Sequence, residues 1–376
     1  MSDGEAQVNG HPRRLSIFTA NMDGGGAERA MLKLAGGIAA RGFEVDLVLS
    51  RAEGHYLAEV PPEVRIVDLG AGRVLASLPR LVRYLRRERP SAMLTSLNYV
   101  NVVGIWARWA ARVKTRLVVN EQNTFSLETR HSPRFRHRLL PALTKVFYPW
   151  ADGIVAVSRG AADDLARTAG LTSERITVVH NPIVTPELRE MASAPVDHPW
   201  FRPGHAPVVV AVGRLAPQKD FASLIRAFAQ VRRQRDARLL ILGEGPERAD
   251  LEALTADLDL ASHVQLPGWV RNPYPSMAAA QAFVLSSRWE GLPSVLIEAL
   301  YCGVPVVSTD CPSGPTEILD GGRHGLLVPV GDVDALSRGI VSALDGRVPR
   351  PTAASWLPFE QDTVVGRYLD VLGGRG

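Results

Sequence analysis

Residues 287–319 read SRWEGLPSVLIEALYCGVPVVSTDCPSGPTEIL, and this stretch gives the strongest structural signal in the chain. Pro293 and Ser294 favour the start of a helix, and Gly303 suits the position just after its end. The apolar segment 305–309 follows directly and predicts a strand, and the Gly-Pro turn beyond it predicts a second helix start. The stretch therefore predicts two helix N-termini at one edge of a sheet, where unpaired N–H groups favour an anion.

Two glutamates flank the first of these helix starts. Glu290 and Glu298 stand eight positions apart, the first before the predicted helix and the second inside it. Two glutamates at this spacing occur by chance in many chains, and they then lie on a solvated face. Here the strand–turn–helix context and the second Gly-Pro turn favour a functional interpretation, in which carboxylates stand beside an anion site.

Length and composition predict a soluble protein of two domains. The chain has 376 residues, of which 22% are charged and 46% hydrophobic, as in ordinary globular proteins. Residues 1–13 are polar and predict a disordered tail rather than a signal peptide. No apolar run approaches the ~20 residues of a membrane span. Cys302 and Cys311 lack further ligands for a metal cluster and are interpreted as buried thiols in a reducing cytoplasm.

The positive charge of the chain is uneven rather than large. The net charge is only +4, and basic residues concentrate at 80–90 and 130–150. The second segment, RHSPRFRHRLLPALTKVFYPW, mixes Arg and His with large apolar residues, a pattern typical of a helix on an anionic bilayer. Two solvated helix faces would explain the same pattern. No recognition helix, zinc finger or stacking motif accompanies the charge, so nucleic acid is not an expected partner.

Short apolar segments alternate with amphipathic ones along the whole chain, which predicts parallel sheets covered by helices on both faces. Ligands of such sheets bind beyond the carboxyl ends of the strands. The Pro-rich range 182–206 separates two alternating sets. The predicted organisation is a tail at 1–13, an N-terminal domain at 14–181, a linker at 182–206, a C-terminal domain at 207–350 and a final segment at 351–376. The predicted strands are 14–20, 44–50, 91–97, 116–120, 153–157, 176–180, 207–213, 238–243, 264–266, 282–286, 305–309 and 325–329.

Arg214 and Lys219 follow the first predicted strand of the second half, in the sequence GRLAPQKD. Pro217 and Gln218 break the strand, so both cations should emerge from its carboxyl end. Arginine offers a fork of donors that matches phosphate oxygens, and lysine a mobile point charge. The pair could therefore neutralise a diphosphate, although a surface arginine and a helix-starting lysine are the structural alternative.

Glycine-rich turns follow several other predicted strands. Residues 23–29, DGGGAER, predict a nest of backbone N–H groups at a helix start, with Gly25 and Gly26 allowing close approach of a ligand. This string lacks the spacing of the dinucleotide fingerprint and the lysine of a P-loop. Residues 243–246, GEGP, and 266–270, LPGWV, predict two further strand-end loops.

Two Asp-x-Asp strings raise the question of a metal. Asp257 and Asp259 fall at the polar end of a predicted helix, and Asp332 and Asp334 suit an N-cap and a first helical turn. Neither string lies at a strand end beside the predicted phosphate site. We therefore expect no metal and no other cofactor, with cationic side chains and helix dipoles taking the metal's place.

These motifs together resemble family four of the retaining glycosyltransferases, in which a Glu-x7-Glu pair and a GlyGlyAlaGluArg string occur at the corresponding places. The resemblance covers most of the chain and is strongest from 207 to 344. It implies the α/β GT-B fold, with two Rossmann-like parallel-sheet domains facing a central cleft and a C-terminal helix returning to the first domain. The implied catalytic residues are Arg214, Lys219 and Glu290, and the implied donor-binding residues are Gly25, Gly26, Gly213, Val270, Ser294, Val295 and Glu298.

Within that resemblance each residue has a role. Arg214, Lys219 and the N–H groups of Ser294 and Val295 would contact the donor diphosphate. Glu290 would meet hydroxyls of the sugar ring and Glu298 those of the ribose, while the backbone near Val270 would border the nucleobase.

One position departs from the family. Many members place a histidine near the end of a central strand of the first domain, where this chain reads NEQNT at 120–124. Glu121 or Asn123 could take its place. The histidines His131, His137 and His180 are interpreted as structural or as acceptor-side residues.

The resemblance implies a cytoplasmic, metal-independent enzyme that transfers a sugar from a nucleotide-diphosphate sugar, with a UDP-sugar as the expected donor, with retention of configuration. The expected acceptor is a glycan or a lipid-linked glycan of cell-envelope polysaccharide or glycolipid biosynthesis, with weak peripheral contact to the inner face of the plasma membrane. The alternatives are a GT-B epimerase or phosphorylase, a transferase of a soluble natural product, and a non-catalytic nucleotide-sugar-binding protein. An epimerase would change a sugar nucleotide without any acceptor, and a phosphorylase usually needs a pyridoxal-bearing lysine.

Overall fold

The computed structural model describes residues 7–8, 11–23, 25–122, 124, 126 and 139–374. The chain divides into two compact units. Unit 1 comprises Met1–Ile183 and Phe359–Gly376, and unit 2 comprises Val184–Pro358. Each unit contains its own parallel sheet and its own hydrophobic core. The predicted architecture of two Rossmann-like α/β domains is confirmed.

Unit 1 is built on a seven-stranded parallel sheet. Its strands lie in the spatial order third, second, first, fourth, fifth, sixth, seventh, counted along the chain. The sheet strands are β3 (Arg14–Thr19), β4 (Glu44–Leu49), β5 (Val64–Asp68), β6 (Ala92–Ser96), β7 (Arg116–Glu121), β8 (Gly153–Ala156) and β9 (Ile176–Val178), and a separate antiparallel pair precedes them, β1 (Gln7–Val8) and β2 (His11–Pro12). The helices of this part are α1 (Gly26–Ala39), α2 (Leu78–Glu88), α3 (Asn98–Ala111), α4 (Leu140–Phe147) and α5 (Arg159–Ala169).

Two details of unit 1 differ from the sequence prediction. Within the predicted tail 1–13, the backbone of β1 pairs with that of β2 instead of remaining irregular. Strand β5 was not predicted at all, because it is an edge strand whose residues are mostly exposed and therefore lack a continuous apolar run. Its Arg65 makes two hydrogen bonds to the buried Asp46 of β4, at 2.8 and 2.6 Å.

Unit 2 repeats the same design with six parallel strands. The spatial order is third, second, first, fourth, fifth, sixth. The strands are β10 (Val208–Val212), β11 (Arg238–Leu242), β12 (Val264–Gly268), β13 (Ala282–Leu285), β14 (Val306–Thr309) and β15 (Leu326–Val328). The helices are α6 (Pro186–Ala192), α7 (Phe221–Arg232), α8 (Arg248–Asp257), α9 (Tyr274–Ala279), α10 (Ser294–Tyr301), α11 (Pro315–Ile318) and α12 (Val333–Leu344).

The strand order fixes where a ligand can bind in unit 2. The chain starts at β10, builds outward through β11 and β12, and then returns to add β13 on the other side of β10. The loops after β10 and β13 therefore leave the sheet in opposite directions and open a crevice at its carboxyl edge. The range 182–206, predicted as a linker, contains α6 and lies mainly in unit 2.

The last helix, α13 (Gln361–Gly373), belongs to unit 1. Its apolar residues join the core formed by β3, β4 and α1. The Tyr368 hydroxyl accepts a hydrogen bond from Asn120 Nδ2 at 3.0 Å, and Gln361 Nε2 donates to the Lys33 carbonyl at 2.6 Å. Contacts between residues 248 and 328 positions apart in the sequence thus help to complete one core.

Candidate active site

An ion pair between Lys219 and Glu290 stands at the switch point of the unit 2 sheet. Lys219 lies in the turn between β10 and α7, and Glu290 lies between β13 and α10, so the two neighbouring strands bring them together. Lys219 Nζ is 2.5 Å from Glu290 Oε1, and the side chains are 16% and 8% exposed. The pair is thus mostly buried, and Lys219 is the more exposed of its two partners.

Further donors fix the Glu290 carboxylate. Ser287 Oγ donates to Oε1 at 2.6 Å, and Gln218 Nε2 lies 3.4 Å from Oε2. Gln218 also donates to the Trp289 carbonyl at 2.9 Å. Donors from two different loops therefore determine the orientation of this carboxylate before any ligand binds.

The two loops that hold the ion pair are also tied together behind it. The Arg288 amide donates to the Gln218 carbonyl at 2.8 Å, and Ser286 Oγ donates to the Lys219 carbonyl at 2.7 Å. The Arg288 guanidinium forms an ion pair with the buried Asp220, with 3.0 Å between Nε and Oδ2. These contacts leave the loops little freedom to separate.

Glu298 lies in a different environment from Glu290. It is buried inside α10 and accepts a hydrogen bond from the Tyr274 hydroxyl at 3.2 Å. Helix α10 begins at Ser294, with Val295 as its second residue, and no side chain among the described residues caps it. Gly314 approaches this helix start so closely that a Cβ there would lie 2.4 Å from Pro293 Cδ, and its φ of 97° also favours glycine.

Arg214 is exposed and makes no ion pair with any residue in the described part of the chain, in contrast to Lys219. It follows Gly213, whose amide donates to the Leu242 carbonyl at 3.0 Å and so extends the pairing of β10 with β11. A Cβ on Gly243, with φ of 153°, would lie 1.9 Å from the Gly213 oxygen. The ends of the two strands therefore meet at a spacing that only glycine permits, and the exposed Arg214 follows directly after this contact.

Val270 lies at the same edge of the sheet, in the loop between β12 and α9. It is partly exposed beside Trp269, whose side chain is 70% exposed. The structure does not bring Val270 into hydrogen-bond contact with Glu290 or Lys219.

In unit 1 the predicted glycine nest lies against one of the protein's own carboxylates. Gly25 precedes α1 and Gly26 begins it, while Gly24 lies outside the described residues. A Cβ on Gly25 would lie 2.3 Å from Glu28 Oε2, so the Glu28 carboxylate is next to this turn. Burial raises the pKa of Glu28, with the backbone of the turn opposing the shift and the nearby Asp23 adding to it.

Glu121, predicted as a substitute for the family's histidine, is buried in a polar network. Its carboxylate accepts hydrogen bonds from Asn101 Nδ2 at 3.1 Å and from the Tyr148 hydroxyl. Asn101 in turn accepts a hydrogen bond from Thr95 Oγ1 at 2.7 Å. Asn123, the other predicted substitute, lies outside the described residues, as do His131 and His137. The ring of His180 packs against Phe359 with 4.7 Å between centroids.

The four aspartates of the two Asp-x-Asp strings lie at or near the ends of helices α8 and α12. Asp332 caps α12 by accepting from the Ala335 amide at 2.8 Å, as predicted, and Asp334 accepts from Gln230 Nε2 at 2.7 Å. Asp257 is the last residue of α8, and Asp259 follows with φ of 55°. Across the described residues no three His, Cys, Asp or Glu side chains come together as a metal-binding group.

Both cysteines are unpaired and lie near the two site glutamates. Burial raises the pKa of Cys302 to about 12, with the charge of Glu298 adding to the shift. Burial likewise raises the pKa of Cys311 to about 12, and the charge of Glu290 adds to it. Neither thiol is therefore a ready nucleophile at neutral pH.

Several residues that form the site were not singled out from the sequence as site residues. Gln218 and Ser287 were visible only as neighbours of Lys219 and of the glutamate motif, and nothing in the spacing indicated that they hydrogen-bond Glu290. Tyr274 stands 24 positions before its partner Glu298. One sequence signal could have identified some of them, namely hydroxyl and amide side chains next to a carboxylate at the end of a predicted strand.

Two family models match the chain. The model described as "Glycosyltransferase Family 4" matches residues 24–186, and the model described as "Glycosyl transferases group 1" matches residues 206–346. The first therefore corresponds to unit 1 and the second to unit 2.

Several named glycosyltransferases are similar to this chain in sequence or in structure. The N-acetylgalactosamine-N,N'-diacetylbacillosaminyl-diphospho-undecaprenol 4-alpha-N-acetylgalactosaminyltransferase of Campylobacter jejuni is 32% identical over 344 residues, 89% of this chain and 90% of the relative. The lipopolysaccharide core biosynthesis glycosyltransferase LpsE of Rhizobium meliloti is 31% identical over 365 residues, 93% of this chain and 96% of the relative. Among solved structures, the apo form of the lipopolysaccharide outer core galactosyltransferase WaaB superimposes with a TM-score of 0.76, at 19% identity, over 97% of this chain and all of that one.

Proposed function

This chain belongs to family 4 of the glycosyltransferases, and from that premise we propose that it transfers a sugar from a nucleotide-diphosphate sugar to a hydroxyl of a lipid-linked glycan, with retention of configuration. The proposed donor is a UDP-sugar. The observation that carries the proposal is the Lys219–Glu290 pair, held at 2.5 Å at the switch point of the unit 2 sheet. A cation and a fixed carboxylate side by side suit a ligand that joins a diphosphate to a polyhydroxylated ring.

Lys219 and Arg214 would take the diphosphate. When the bond between the sugar and the diphosphate breaks, negative charge grows on the departing phosphate oxygens. Cations already in place stabilise that charge more than they stabilise the ground state, and this difference lowers the barrier. Arg214, exposed beside Gly213, can turn its guanidinium fork toward the outer phosphate, and the uncapped start of α10 adds N–H groups on the same edge.

Glu290 would hold the sugar. Its carboxylate is oriented by Lys219, Ser287 and Gln218, and it can accept hydrogen bonds from ring hydroxyls in addition. The acceptor hydroxyl attacks the anomeric carbon from the face that the diphosphate leaves, so the new C–O bond forms on the side where the old one breaks. The proton of that hydroxyl passes to the departing phosphate. No covalent intermediate on the protein and no metal is required in this scheme.

Glu298 would bind the ribose of the nucleotide. Glu298 is buried, and the hydrogen bond from the Tyr274 hydroxyl orients its carboxylate. This contact exists equally in the ground state and the transition state, so it contributes to affinity and not to the rate of the chemical step. The backbone around Val270 would border the nucleobase at the same sheet edge.

The proposed acceptor rests on the two named relatives. One is named for a diphospho-undecaprenol acceptor and the other for lipopolysaccharide core biosynthesis. A lipid-linked acceptor would bring the enzyme to the inner face of the plasma membrane, with unit 1 on the acceptor side. Through the described residues of the chain, none of the helices combines the length and the apolar character that crossing a bilayer requires. The proposed contact is therefore peripheral.

A thermal-shift screen of UDP-, GDP- and ADP-sugars tests the proposal. A donor at 100 times its Kd should stabilise the protein by about 2.7 kcal/mol, and the same donor should shift Lys219→Ala much less. Stabilisation by no nucleotide sugar would contradict the proposal. Conversion of the donor sugar without an acceptor would identify an epimerase instead.

A further inference from the structure

The loop after strand β6 lies at the switch point of the unit 1 sheet. The chain starts that sheet at β3, builds outward through β4 and β5, and returns to add β6 on the other side of β3. The loops after β3 and β6 therefore leave the sheet in opposite directions and open a crevice at its carboxyl edge. In unit 2 the loop after the corresponding fourth strand carries Glu290. The loop after β6 is thus the place in unit 1 where a ligand is expected.

Tyr99 presents an aromatic ring at this crevice. Helix α3 begins at Asn98, directly after the loop, and Tyr99 is its second residue. Side chains of a helix tilt toward its N-terminus, so the ring leans toward the carboxyl edge of the sheet. Tyr99 is 37% exposed, whereas Asn98 and Val100 on either side of it are buried. A ligand in the crevice can therefore reach the ring.

The backbone before Tyr99 is held in an unusual conformation. Leu97 has φ of 84° and ψ of 139°, which residues other than glycine rarely adopt. Its amide lies 3.4 Å from the Asn120 carbonyl, and its own carbonyl accepts from the Asn101 amide at 2.9 Å. The Asn98 side chain accepts from the Tyr99 amide at 2.7 Å. Such conformations persist where surrounding contacts maintain them, and they concentrate at ligand-binding sites.

A buried polar network supports the same loop from the sheet side. Asn101, in the first turn of α3, donates to the Asn120 carbonyl at 3.0 Å and to the Glu121 carboxylate at 3.1 Å. It also accepts from Thr95 Oγ1 at 2.7 Å. All these side chains are buried. The network therefore anchors the start of α3, and with it the position of Tyr99.

Polar side chains stand on the β3 side of the crevice. Asn21 and Asp23 follow β3, where Asn21 donates to the Asp23 carboxylate and Asp23 is exposed. The Glu28 carboxylate lies against the adjoining glycine turn. An aromatic ring on one side and amide and carboxylate groups on the other suit a sugar. The C–H face of a pyranose can pack on the electron-rich face of the ring, while its hydroxyls donate to the polar groups.

We propose that the crevice between Tyr99 and the loop after β3 is a subsite for a pyranose ring of the acceptor glycan, which stacks on the Tyr99 ring. Stacking needs the face of the aromatic ring and not its hydroxyl. Tyr99 therefore sets the affinity for the acceptor and takes no part in making or breaking bonds. The inference rests on the proposed function, because the sugar that it places here belongs to the acceptor of that reaction.

Saturation-transfer NMR tests the subsite in the absence of any donor. The probes are the methyl glycosides, in both anomeric forms, of glucose, galactose, N-acetylglucosamine and N-acetylgalactosamine. At least one of them should bind the wild type, with the strongest transfer to the C–H protons of one ring face. Tyr99→Ala and Tyr99→Leu should each weaken its binding by about tenfold, since both remove the aromatic face. Tyr99→Phe keeps that face and should stay within about twofold of the wild type.

Trp109→Ala is the matched control. Trp109 is 67% exposed on the same helix but lies about 15 Å further along its axis, at 1.5 Å per residue. Its loss removes an exposed ring of α3 outside the crevice, so the glycoside should bind as it does to the wild type. Equal binding by the wild type and Tyr99→Ala would overturn the proposal, and so would a wild type that binds none of the glycosides. An equal loss in Tyr99→Phe and Tyr99→Ala would also overturn it, because the hydroxyl would then hold the ligand.

Steady-state kinetics separate this inference from the proposed function. The acceptor is the glycoside that binds, and the donor is the nucleotide sugar that stabilises the protein in the thermal-shift screen. Tyr99→Ala should raise the acceptor KM by about tenfold and leave kcat and the donor Kd little changed. Wild-type protein that binds a glycoside but no nucleotide sugar would contradict the proposed function alone. Turnover with an acceptor KM that Tyr99→Ala leaves unchanged would contradict the subsite alone.

Discussion

The carboxyl edges of the two sheets share one topology and differ in what they hold there. In unit 2 the loops beyond the central strands carry the ion pair of Lys219 and Glu290. In unit 1 the carboxylate at the end of β7, Glu121, is buried with Asn101 and Tyr148 as donors. The Glu28 carboxylate lies against the glycine turn before α1.

This difference shows how one fold can serve two tasks. Both sheets start from a central strand and place loops at a switch point. Among the described residues, the loops of unit 2 join a cation to a carboxylate, Lys219 to Glu290, whereas Glu121 of unit 1 accepts hydrogen bonds from the neutral groups of Asn101 and Tyr148. We therefore expect the charged side chains that act in the reaction to come from unit 2. Unit 1 is expected to contribute a binding surface of suitable shape.

The largest expected effect follows from removing the cations of unit 2. Lys219→Ala and Arg214→Ala should each lower turnover by about two to three decades, because a charge-assisted contact that strengthens in the transition state is worth ~2–4 kcal/mol. The measurement is kcat at saturating donor and acceptor. Arg226→Ala is the matched control, since Arg226 is an exposed arginine on α7 of the same unit.

The two substitutions should also differ in stability. Lys219→Ala leaves the buried Glu290 without its cation, so the unfolding free energy should fall by about 1–3 kcal/mol. Arg214 is exposed and unpaired among the described residues, so its loss should change stability by under ~0.5 kcal/mol. Near-normal turnover in both variants would contradict the proposal that Lys219 and Arg214 bind the donor diphosphate. It would also contradict the expectation that unit 2 supplies the charges of the reaction.

The next effect distinguishes the two glutamates. Glu290→Gln should lower kcat by about tenfold or more while changing donor Kd little, because its contacts must follow the sugar ring as it gains charge. Glu298→Gln should mainly raise the donor KM, because the ribose contact is uniform along the reaction. Tyr274→Phe should reproduce a weaker form of the Glu298→Gln effect, since it removes only the hydrogen bond that orients Glu298. Calorimetric donor Kd and steady-state kcat are the two measurements.

A reversed pattern would change the assignment. If Glu290→Gln lost only affinity and Glu298→Gln lost only kcat, the nucleotide would lie in the opposite orientation at the unit 2 edge. The Lys219–Glu290 pair would then contact the ribose of the nucleotide instead of the transferred sugar.

The sequence predicted most of the strands and the fold, but not the contacts that make the site. Apolar runs and Gly-Pro turns are local signals, so β10, β13 and the start of α10 were found within about two residues. The Lys219–Glu290 contact joins residues 71 positions apart, and it depends on β13 pairing with β10. No spacing of residues within a short stretch of the sequence indicates that β13 pairs with β10.

The sequence left two other features open for different physical reasons. The string DGGGAER is compatible with a bound ligand or with one of the protein's own carboxylates, and in the structure the Glu28 carboxylate lies against Gly25. The segment 130–150 was interpreted as a helix on an anionic bilayer, with a solvated helix as the alternative, because an amphipathic period is the same in both settings.

A smaller effect on catalysis is expected in unit 1. Glu121→Gln should reduce the unfolding free energy by about 1–3 kcal/mol, because the new amide nitrogen would face the Asn101 and Tyr148 donors. Donor Kd should stay within about twofold of wild type, since this network is buried within unit 1. Chemical denaturation and calorimetry measure the two quantities. A drop in kcat at unchanged stability would instead support Glu121 as the substitute for the family's histidine.

The smallest expected effect is that of chelation. The positive field on the diphosphate is proposed to come from Lys219, Arg214 and the start of α10, so turnover should be the same in EDTA as in its absence. The four aspartates of the Asp-x-Asp strings are not expected to matter, because Asp332 caps α12 and Asp334 accepts from Gln230. Asp332→Asn, which preserves the cap, should keep both turnover and stability, whereas Asp332→Ala should lose ~0.5–2 kcal/mol of stability and no turnover. If EDTA abolishes turnover and Mn²⁺ restores it, a metal shares the diphosphate with Lys219, and the charges of unit 2 described here are only part of the catalytic field.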